Sequence, residues 1–227
     1  MKKVLNKIQL RMTQAARRSK RSPSEIKLVA VAKKQPDEKI LEVFHGGQRD
    51  FGENYAQELL SHFSLLTQEP SIRWHFIGHL QRNKVRQILD KISLIHSLDS
   101  LDLAKEIDRR AGLISKTQPV LIEVNLGGEE TKTGIHPSAI NHLVEQLKPL
   151  PHLDLQGLMT IPPYRPEPEE ARPFFKKLRE IRNAINGQKL YKHPILELSM
   201  GMTHDFEVAI EEGATIVRIG TGIFGER

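Results

Sequence analysis

Short apolar segments rich in β-branched residues alternate with longer amphipathic stretches from about residue 27 to the C-terminus. The longer stretches, such as DEKILEVFHGG and AQELLSHFSLL, repeat apolar residues at i, i+3 and i+4, which is typical of helices that cover a core. Eight segments have the length and composition of buried strands, at 27–32, 49–54, 73–78, 93–98, 120–125, 155–160, 195–200 and 215–220. This alternation predicts an α/β fold, a single (β/α)8 TIM barrel over residues 1–227, with an open doubly wound sheet as the alternative.

Local signals refine the boundaries of these elements. The first 26 residues repeat apolar positions at helical spacing among many basic ones, which predicts an extra N-terminal helix. The segment Ser22–Glu25 predicts a turn before the first strand, and Pro36 followed by two acidic residues predicts a helix start. Residues 161–175 hold five prolines and predict the longest loop, with a helix resuming near Glu169.

Composition narrows the classes of function. The hydrophobic fraction of 38% and the charged fraction of 27% are ordinary for a globular protein. No apolar run reaches membrane-spanning length, and the N-terminus lacks the features of a signal peptide, so we expect a cytoplasmic protein without a membrane partner. The net charge is +6, but aromatic residues are only 5% and no base-stacking motif is present, so we expect no nucleic-acid partner. The absence of cysteine excludes disulfides and thiolate ligands.

The carboxyl ends of the predicted strands hold the candidate chemistry, because TIM barrels place their sites there. These positions are Lys33, Asn54, His79, Asn125, Met159, Ser199 and the turn 220–222. Lys33 follows the apolar AVA directly, which places its amine at the mouth of the barrel. Desolvation and nearby cations lower a lysine pKa from about 10.4 and leave more neutral amine to attack an aldehyde. A solvated or ion-paired lysine is the alternative.

Two apolar segments near the C-terminus, ILELSM and TIVRIG, end in small or hydroxylated residues, which are Ser199, Gly201, Gly220, Thr221 and Gly222. Turns of this kind between a strand and a helix point unpaired N–H groups at one place, which suits a phosphate. Two ordinary turns are the alternative. A lysine and a phosphate cradle that face one mouth would together fit pyridoxal 5′-phosphate (PLP).

Arg218 is the third indication of this cofactor. Within TIVRIG it shares a side with Ile216 and Gly220, so strand alternation predicts that it points into the barrel. A guanidinium has no acceptor, so beside a pyridine nitrogen it would keep that nitrogen unprotonated and weaken the ring as an electron sink. An ion pair with Glu123 or Glu197 is the alternative.

Six motifs follow one another along essentially the whole chain: AVAKKQP, FGENYAQE, WHFIGHLQRNKVRQI, ETKTG, GLMTIPP and LSMGMTHDFEVAIEEGATIVRIGTGIFGER. In this order they resemble the pyridoxal phosphate homeostasis proteins, a family similar to the N-terminal domain of alanine racemase. The chain departs from the family's usual AVSKT and LSMGMS at Ala32, Lys34 and Thr203, and Thr203 keeps the hydroxyl.

The resemblance implies a single barrel that carries PLP as a Schiff base on Lys33. It implies that Asn54 and Met159 lie near the ring and that Arg218 lies at the pyridine nitrogen. The other cofactor-binding positions are Ser199, Gly220 and Thr221 at the phosphate, together with Met200. Lys132, in the ETKTG motif, is either a second amine that accepts the aldehyde or an exposed loop lysine.

The reaction class depends on a second acid/base group. A racemase needs one on each face of its substrate, and related racemases and decarboxylases obtain the second from an added domain. This chain ends at Arg227, soon after its last predicted strand. We therefore expect no catalytic residues and a monomeric PLP carrier in intracellular vitamin B6 and amino-acid homeostasis, with little or no turnover. PLP-dependent apo-enzymes are its expected partners, and a racemase-like enzyme is the alternative.

Two further classes of site have candidate residues in the sequence. A Schiff-base aldolase would need a general acid/base near the lysine, for which Glu53 and His79 are the candidates. His75 and His79 have a spacing of four, but this pair crosses a strand end and not a helix, so we expect no metal. The remaining histidines, such as His62 and His96, stand alone in the sequence and are interpreted as surface or packing residues.

Overall fold

Eight parallel strands close into a barrel in which each strand pairs with its neighbours in sequence and the eighth pairs with the first. The computed structural model describes residues 1–66, 69, 71–128 and 133–225. The strands are β1 (Lys27–Val31), β2 (Asp50–Glu53), β3 (Arg73–Phe76), β4 (Ile92–Leu98), β5 (Gln118–Glu123), β6 (Leu153–Met159), β7 (Glu197–Ser199) and β8 (Ile216–Ile219). The predicted TIM barrel is therefore confirmed, and the open sheet is wrong because β8 closes on β1.

Helices follow the strands and cover the outside of the barrel. They are α1 (Lys2–Arg18), α2 (Asp37–His45), α3 (Ala56–Leu65), α4 (Val85–Ile88), α5 (Leu101–Leu113), α6 (Ile140–Leu147), α7 (Arg172–Gly187), α8 (Phe206–Glu211) and α9 (Thr221–Phe224). Short 3-10 helices lie at Pro23–Glu25, Arg82–Lys84, Pro137–Ala139 and Pro168–Ala171. The extra N-terminal helix is α1. It buries Leu5, Ile8 and Met12, and Arg11 pairs with Glu207 of α8 at 3.1 Å.

The local signals predicted most boundaries correctly. Ser22 and Glu25 form a capping box on the first 3-10 helix, and α2 begins directly after Pro36. After the proline-rich loop, helical structure resumes at Pro168, one residue before the predicted Glu169, and a proline suits the first turn of a helix. Lys132 lies outside the described residues. Within the part of the chain that the structure describes, no helix is long and apolar enough to cross a membrane.

The core has two parts, one on each side of the barrel wall. Most buried apolar side chains pack between the strands and the helices, and five fill the interior: Val29, Leu94, Leu121, Met159 and Ile216. Along β1 the interior positions are therefore Val29 and Val31, and the same alternation carries Lys33 to the carboxyl end of the barrel.

Candidate functional site

A cavity of about 260 Å³ opens at the carboxyl ends of the strands. It brings together five residues that the sequence predicts for the site, which are Lys33, Asn54, Arg218, Gly220 and Thr221. It is completed by residues that were not predicted for it, among them Gln35, Ile77, Ile161, Met202, Thr203 and His204. Residues more than 180 positions apart in the chain therefore meet in one pocket, because β1 and β8 are neighbours in the closed barrel.

Lys33 and its neighbour Lys34 have different surroundings. Lys33 is half-buried in the cavity wall, whereas Lys34 is exposed. Lys34 adopts φ +57°, and its N–H donates to Glu58 Oε2 at 2.8 Å. This turn directs the chain away from the barrel mouth after Lys33, so only the first of the two amines lines the cavity.

Asn54 brings an unsatisfied polar atom to the cavity. It follows the last residue of β2, and its Oδ1 is buried but accepts no hydrogen bond from any residue that the structure describes. A buried carbonyl oxygen without a donor costs free energy, about 1 to 3 kcal/mol. The cavity therefore favours a ligand that brings a donor to this position.

The two small-residue turns meet as the sequence predicts. Thr203 Oγ1 accepts hydrogen bonds from Thr221 Oγ1 at 3.1 Å and from the Gly222 N–H at 3.2 Å, which ties the turn after β7 to the turn after β8. Gly201 adopts φ +93°, in the region that favours glycine. A Cβ on Gly222 would lie 3.0 Å from Thr203 Cγ2, so a side chain at this position would push against Thr203.

Arg218 lies at the base of the cavity and is almost fully buried, with 3% of its surface exposed. Burial lowers the pKa of its guanidinium to about 10, although Glu123 and Asp205 act in the opposite direction, so it keeps its charge at neutral pH. Its hydrogen bonds go to Ser199 Oγ at 2.5 Å and to the Thr160 carbonyl at 3.0 Å. No described carboxylate lies at ion-pair distance, so the alternative of a direct ion pair with Glu123 or Glu197 is wrong.

Three predicted residues do not line the cavity. Met159 belongs to the apolar layer inside the barrel, and Met200 is fully buried, with its N–H bonded to the Ile216 carbonyl. Ser199 is also fully buried, and its Oγ already serves Arg218 and His96. The hydroxyl that the turn after β7 presents at the cavity is that of Thr203. The signal in the sequence was present, since Thr203 stands where the family has a serine.

The aldolase candidates also lie elsewhere. Glu53 is fully buried outside the barrel wall, where burial and the nearby Glu58 raise its pKa to about 8 against the opposing effects of the Asn54 N–H and Lys33. His79 is half-exposed, and its Nδ1 lies 3.2 Å from Asp99 Oδ2. Neither residue lines the cavity that holds Lys33.

The histidines have partners that the sequence interpretation did not include. His96 is fully buried inside the barrel, which fits a packing residue, and its Nε2 lies 2.9 Å from His75 Nδ1. His79 is remote from this pair at the end of the strand. Across the described ranges, no three potential ligands of the types His, Asp or Glu come together as a metal site.

Known proteins resemble the chain over nearly its full length. Residues 5–227 match the family described as alanine racemase, N-terminal domain. The pyridoxal phosphate homeostasis protein of Aquifex aeolicus is 49% identical over 223 residues, which cover 98% of this chain and 96% of that protein. The protein of the same name from Vibrio cholerae is 41% identical over 211 residues, which cover 91% and 88%.

Solved structures agree with this relation. PipY of Synechococcus elongatus, crystallised with PLP bound, has a TM-score of 0.83 and 34% identity, covering 94% of this chain and 100% of its own. An alanine racemase of Clostridium difficile has a TM-score of 0.72 but 16% identity over 56% of its own length, which shows a shared fold alone. The chain belongs to the family defined by the N-terminal domain of alanine racemase and, within it, to the pyridoxal phosphate homeostasis proteins.

Proposed function

We propose that this protein binds PLP in the cavity at the barrel mouth, as a Schiff base on Lys33, and carries the cofactor in vitamin B6 homeostasis with little turnover. The observation that supports this most is that one cavity holds Lys33, Asn54 and the paired turns after β7 and β8. The names of the curated relatives and the PLP in the PipY crystal support the same reading.

The residues of the cavity fit the cofactor. The unsatisfied Asn54 Oδ1 would accept a hydrogen bond from a hydroxyl group such as the one on the PLP ring. The hydroxyls of Thr203 and Thr221 and the backbone of 220–222, where a Cβ on Gly222 would be too close, would hold the phosphate. We assign the phosphate contact to Thr203 in place of Ser199, because the hydroxyl of Ser199 is buried with Arg218 and His96.

When bound, PLP supplies an aldehyde that condenses with amines and a ring that withdraws electrons. Arg218 offers only donors, so it would hold a ring nitrogen in its unprotonated form and reduce that withdrawal. The titratable side chains among the described lining residues are Lys33, His204 and Arg218. His204 is bonded through Nε2 to the Pro166 carbonyl at 2.9 Å, so its Nε2 is held by the loop after β6. A racemase needs an acid/base group on each face of its substrate, and apart from Lys33 the described lining offers only His204 Nδ1 for that role, which favours a carrier.

The visible spectrum of the freshly purified protein, before and after borohydride, tests the binding site. We expect a yellow protein whose colour borohydride bleaches, with the reduced label on the peptide that contains Lys33. Lys33→Ala should bind no covalent PLP, whereas Lys34→Ala, the matched change at the adjacent exposed lysine, should retain it. Recovery of the label on Lys34 or Lys132 would contradict the assignment of Lys33.

Exchange at the α-carbon tests the carrier role separately. The PLP-loaded protein would be incubated with alanine and other amino acids in heavy water, and deuterium at the α-carbon and the D-enantiomer would be measured. We expect no turnover in the range of ordinary enzymes, which is about 1 to 1,000 per second. Rates within that range would make the protein a racemase-like enzyme, while the PLP site on Lys33 would stand.

A further inference from the structure

An unbroken chain of hydrogen bonds crosses the interior of the barrel and ends at the cavity. His75 Nε2 lies 3.0 Å from Asp50 Oδ1, and His75 Nδ1 lies 2.9 Å from His96 Nε2. His96 Nδ1 lies 2.8 Å from Ser199 Oγ, which accepts from Arg218 at 2.5 Å. We name these five residues, Asp50, His75, His96, Ser199 and Arg218, the interior chain.

The interior chain joins the two ends of the barrel. Asp50 is the first residue of β2, at the amino end, and Arg73, the first residue of β3, donates to both of its oxygens at 2.9 and 2.6 Å. Arg218 lines the cavity at the carboxyl end. The members come from five different strands, β2, β3, β4, β7 and β8. All five residues are buried, with at most 6% of the residue surface exposed.

The ends of the interior chain fix its direction. Burial alone would raise the pKa of Asp50, but hydrogen bonds from Arg73 and His75 outweigh burial and hold the pKa well below its ordinary value. An ionised carboxylate only accepts, so His75 Nε2 carries the hydrogen toward Asp50. At the other end a guanidinium only donates, so Ser199 Oγ accepts from Arg218 and keeps its own hydrogen available for His96.

The two histidines between these ends are consistent with that direction. Burial lowers the pKa of His75, and burial with the neighbouring His75 and Arg218 lowers that of His96. Neutral His75 bonded to Asp50 through Nε2–H presents Nδ1 as an acceptor, and His96 Nε2–H donates to it. His96 Nδ1 is then the acceptor for Ser199. Every link donates toward Asp50, so the bonds polarise one another.

We propose that Asp50, His75, His96 and Ser199 are positioning residues that hold the guanidinium of Arg218 in one orientation at the base of the PLP cavity. This inference rests on the proposed function for its ligand, but not for its geometry. Arginine has a long side chain with many rotamers, so an unanchored guanidinium would sample many orientations. Two anchors, Ser199 Oγ and the Thr160 carbonyl, remove that freedom before a ligand binds.

Nitrogen NMR of the histidines in cofactor-free protein tests the geometry without PLP. We expect both His75 and His96 to be neutral Nε2–H tautomers between about pH 6 and 8, although a free histidine titrates there. An imidazolium or an Nδ1–H tautomer at either residue would overturn the interior chain. Because this measurement uses the wild-type protein, it tests the interior chain even if a variant fails to fold.

Ser199→Ala breaks the chain beside Arg218. We expect the dissociation constant for PLP to rise about tenfold, which is 1.4 kcal/mol, and the His96 nitrogen signals and the Arg218 side-chain signals to shift. Ser199→Thr, which keeps the hydroxyl, should restore both. Ser97→Ala, which removes a fully buried hydroxyl bonded to the Gly78 carbonyl, is the matched control and should leave both unchanged.

The outcomes separate the two proposals. If Ser199→Ala leaves the His96 and Arg218 signals and the PLP affinity as they are in the control, the positioning role is wrong. If the wild-type protein binds no PLP, the proposed function fails, while shifted Arg218 signals in Ser199→Ala and unshifted ones in Ser97→Ala would still support the anchoring of Arg218.

Discussion

Strand β2 carries two buried carboxyl groups three residues apart, and the barrel wall gives them opposite surroundings. Asp50 points into the barrel and is bonded to Arg73 and His75. Glu53 points outward to the layer under α3, where neither oxygen has a hydrogen bond of normal geometry from a described residue. His62 Nε2 is 3.5 Å from Glu53 Oε1, and His62 Nδ1 is already 2.5 Å from Asp37. Both carboxyl groups are therefore buried, and they differ in whether hydrogen-bond donors lie beside them.

The consequence is a difference in charge. The hydrogen bonds from Arg73 and His75 outweigh burial and hold the pKa of Asp50 well below its ordinary value, so it is ionised at neutral pH. Burial and Glu58 raise the pKa of Glu53 to about 8, so it is mostly protonated at neutral pH. Burial alone thus does not set the charge of a carboxyl group in this barrel. The paired group serves the interior chain, and the unpaired one remains neutral beside the wall.

Removal of the paired carboxylate should have the largest effect. Asp50→Ala leaves the Nε2–H of the buried His75 without an acceptor and separates Arg73 from its partner. We expect the free energy of unfolding to fall by about 4 kcal/mol, from one unsatisfied buried donor and one lost charge-assisted bond. Urea denaturation at pH 7 measures the change. A loss below about 1 kcal/mol would mean that the pairing of Asp50 contributes little.

Glu53→Gln should have a smaller effect that depends on pH. The folded-state pKa of Glu53 is raised from 4.5 to about 8, so the stability that its neutral form provides is present below 4.5 and is lost as pH rises toward 8. The limiting slope is about 1.4 kcal/mol per pH unit. The limiting slope applies to a rigid site, so we expect the variant to gain a smaller amount over wild type, about 2 kcal/mol, from pH 5 to pH 8.

Urea denaturation of both proteins across that pH range measures the gain. Glu58→Gln, at a half-buried position of α3, is the comparison. Because Glu58 also raises the pKa of Glu53, its removal should lower the pH at which wild-type stability is half lost, while the carboxyl group of Glu53 remains. If the free energy of unfolding depends on pH in the same way for wild type and Glu53→Gln, the pKa of Glu53 is not raised.

The smallest effect is expected where a pair is exposed. Arg82 and Asp102 lie 3.3 Å apart with side chains 65% and 70% exposed, so solvent screens them. Arg82→Ala should change the free energy of unfolding by about 0.5 kcal/mol or less. If Arg82→Ala lowers the free energy of unfolding as much as Asp50→Ala does, an ion pair stabilises this protein equally whether it is exposed or buried. Burial would then not contribute to the difference between Asp50 and Glu53.

Much of the fold and part of the site follow from local sequence patterns. The position of Lys33 directly after the apolar AVA placed its amine at the mouth of the barrel, and alternation within TIVRIG placed Arg218 on the interior side. The glycines placed the turn 220–222 at the mouth. These features depend on neighbours in the chain, so periodicity and turn chemistry suffice to predict them.

The interior chain could not be predicted in the same way. Its partners are 19 to 103 residues apart, so their pairing depends on the closure and register of the whole barrel. A signal was present, because His96 stands at the centre of the buried segment SLIHSL, where an unpaired imidazole would be costly. Ser199 was assigned to the phosphate because the sequence shows that it stands at a strand end. Its hydrogen bonds to Arg218 and His96 depend on the closed barrel and could not be predicted.

A carbon NMR titration that resolves the side-chain carboxyls of Asp50 and Glu53 in one sample tests this account most directly. Between about pH 4 and pH 9, well above the ordinary carboxyl pKa values near 4, we expect the Asp50 signal to remain in its ionised position, because Arg73 and His75 hold it there. The Glu53 signal should move with a midpoint near pH 8. If both signals titrate together near pH 4, the two sides of the barrel wall do not differ as the structure indicates.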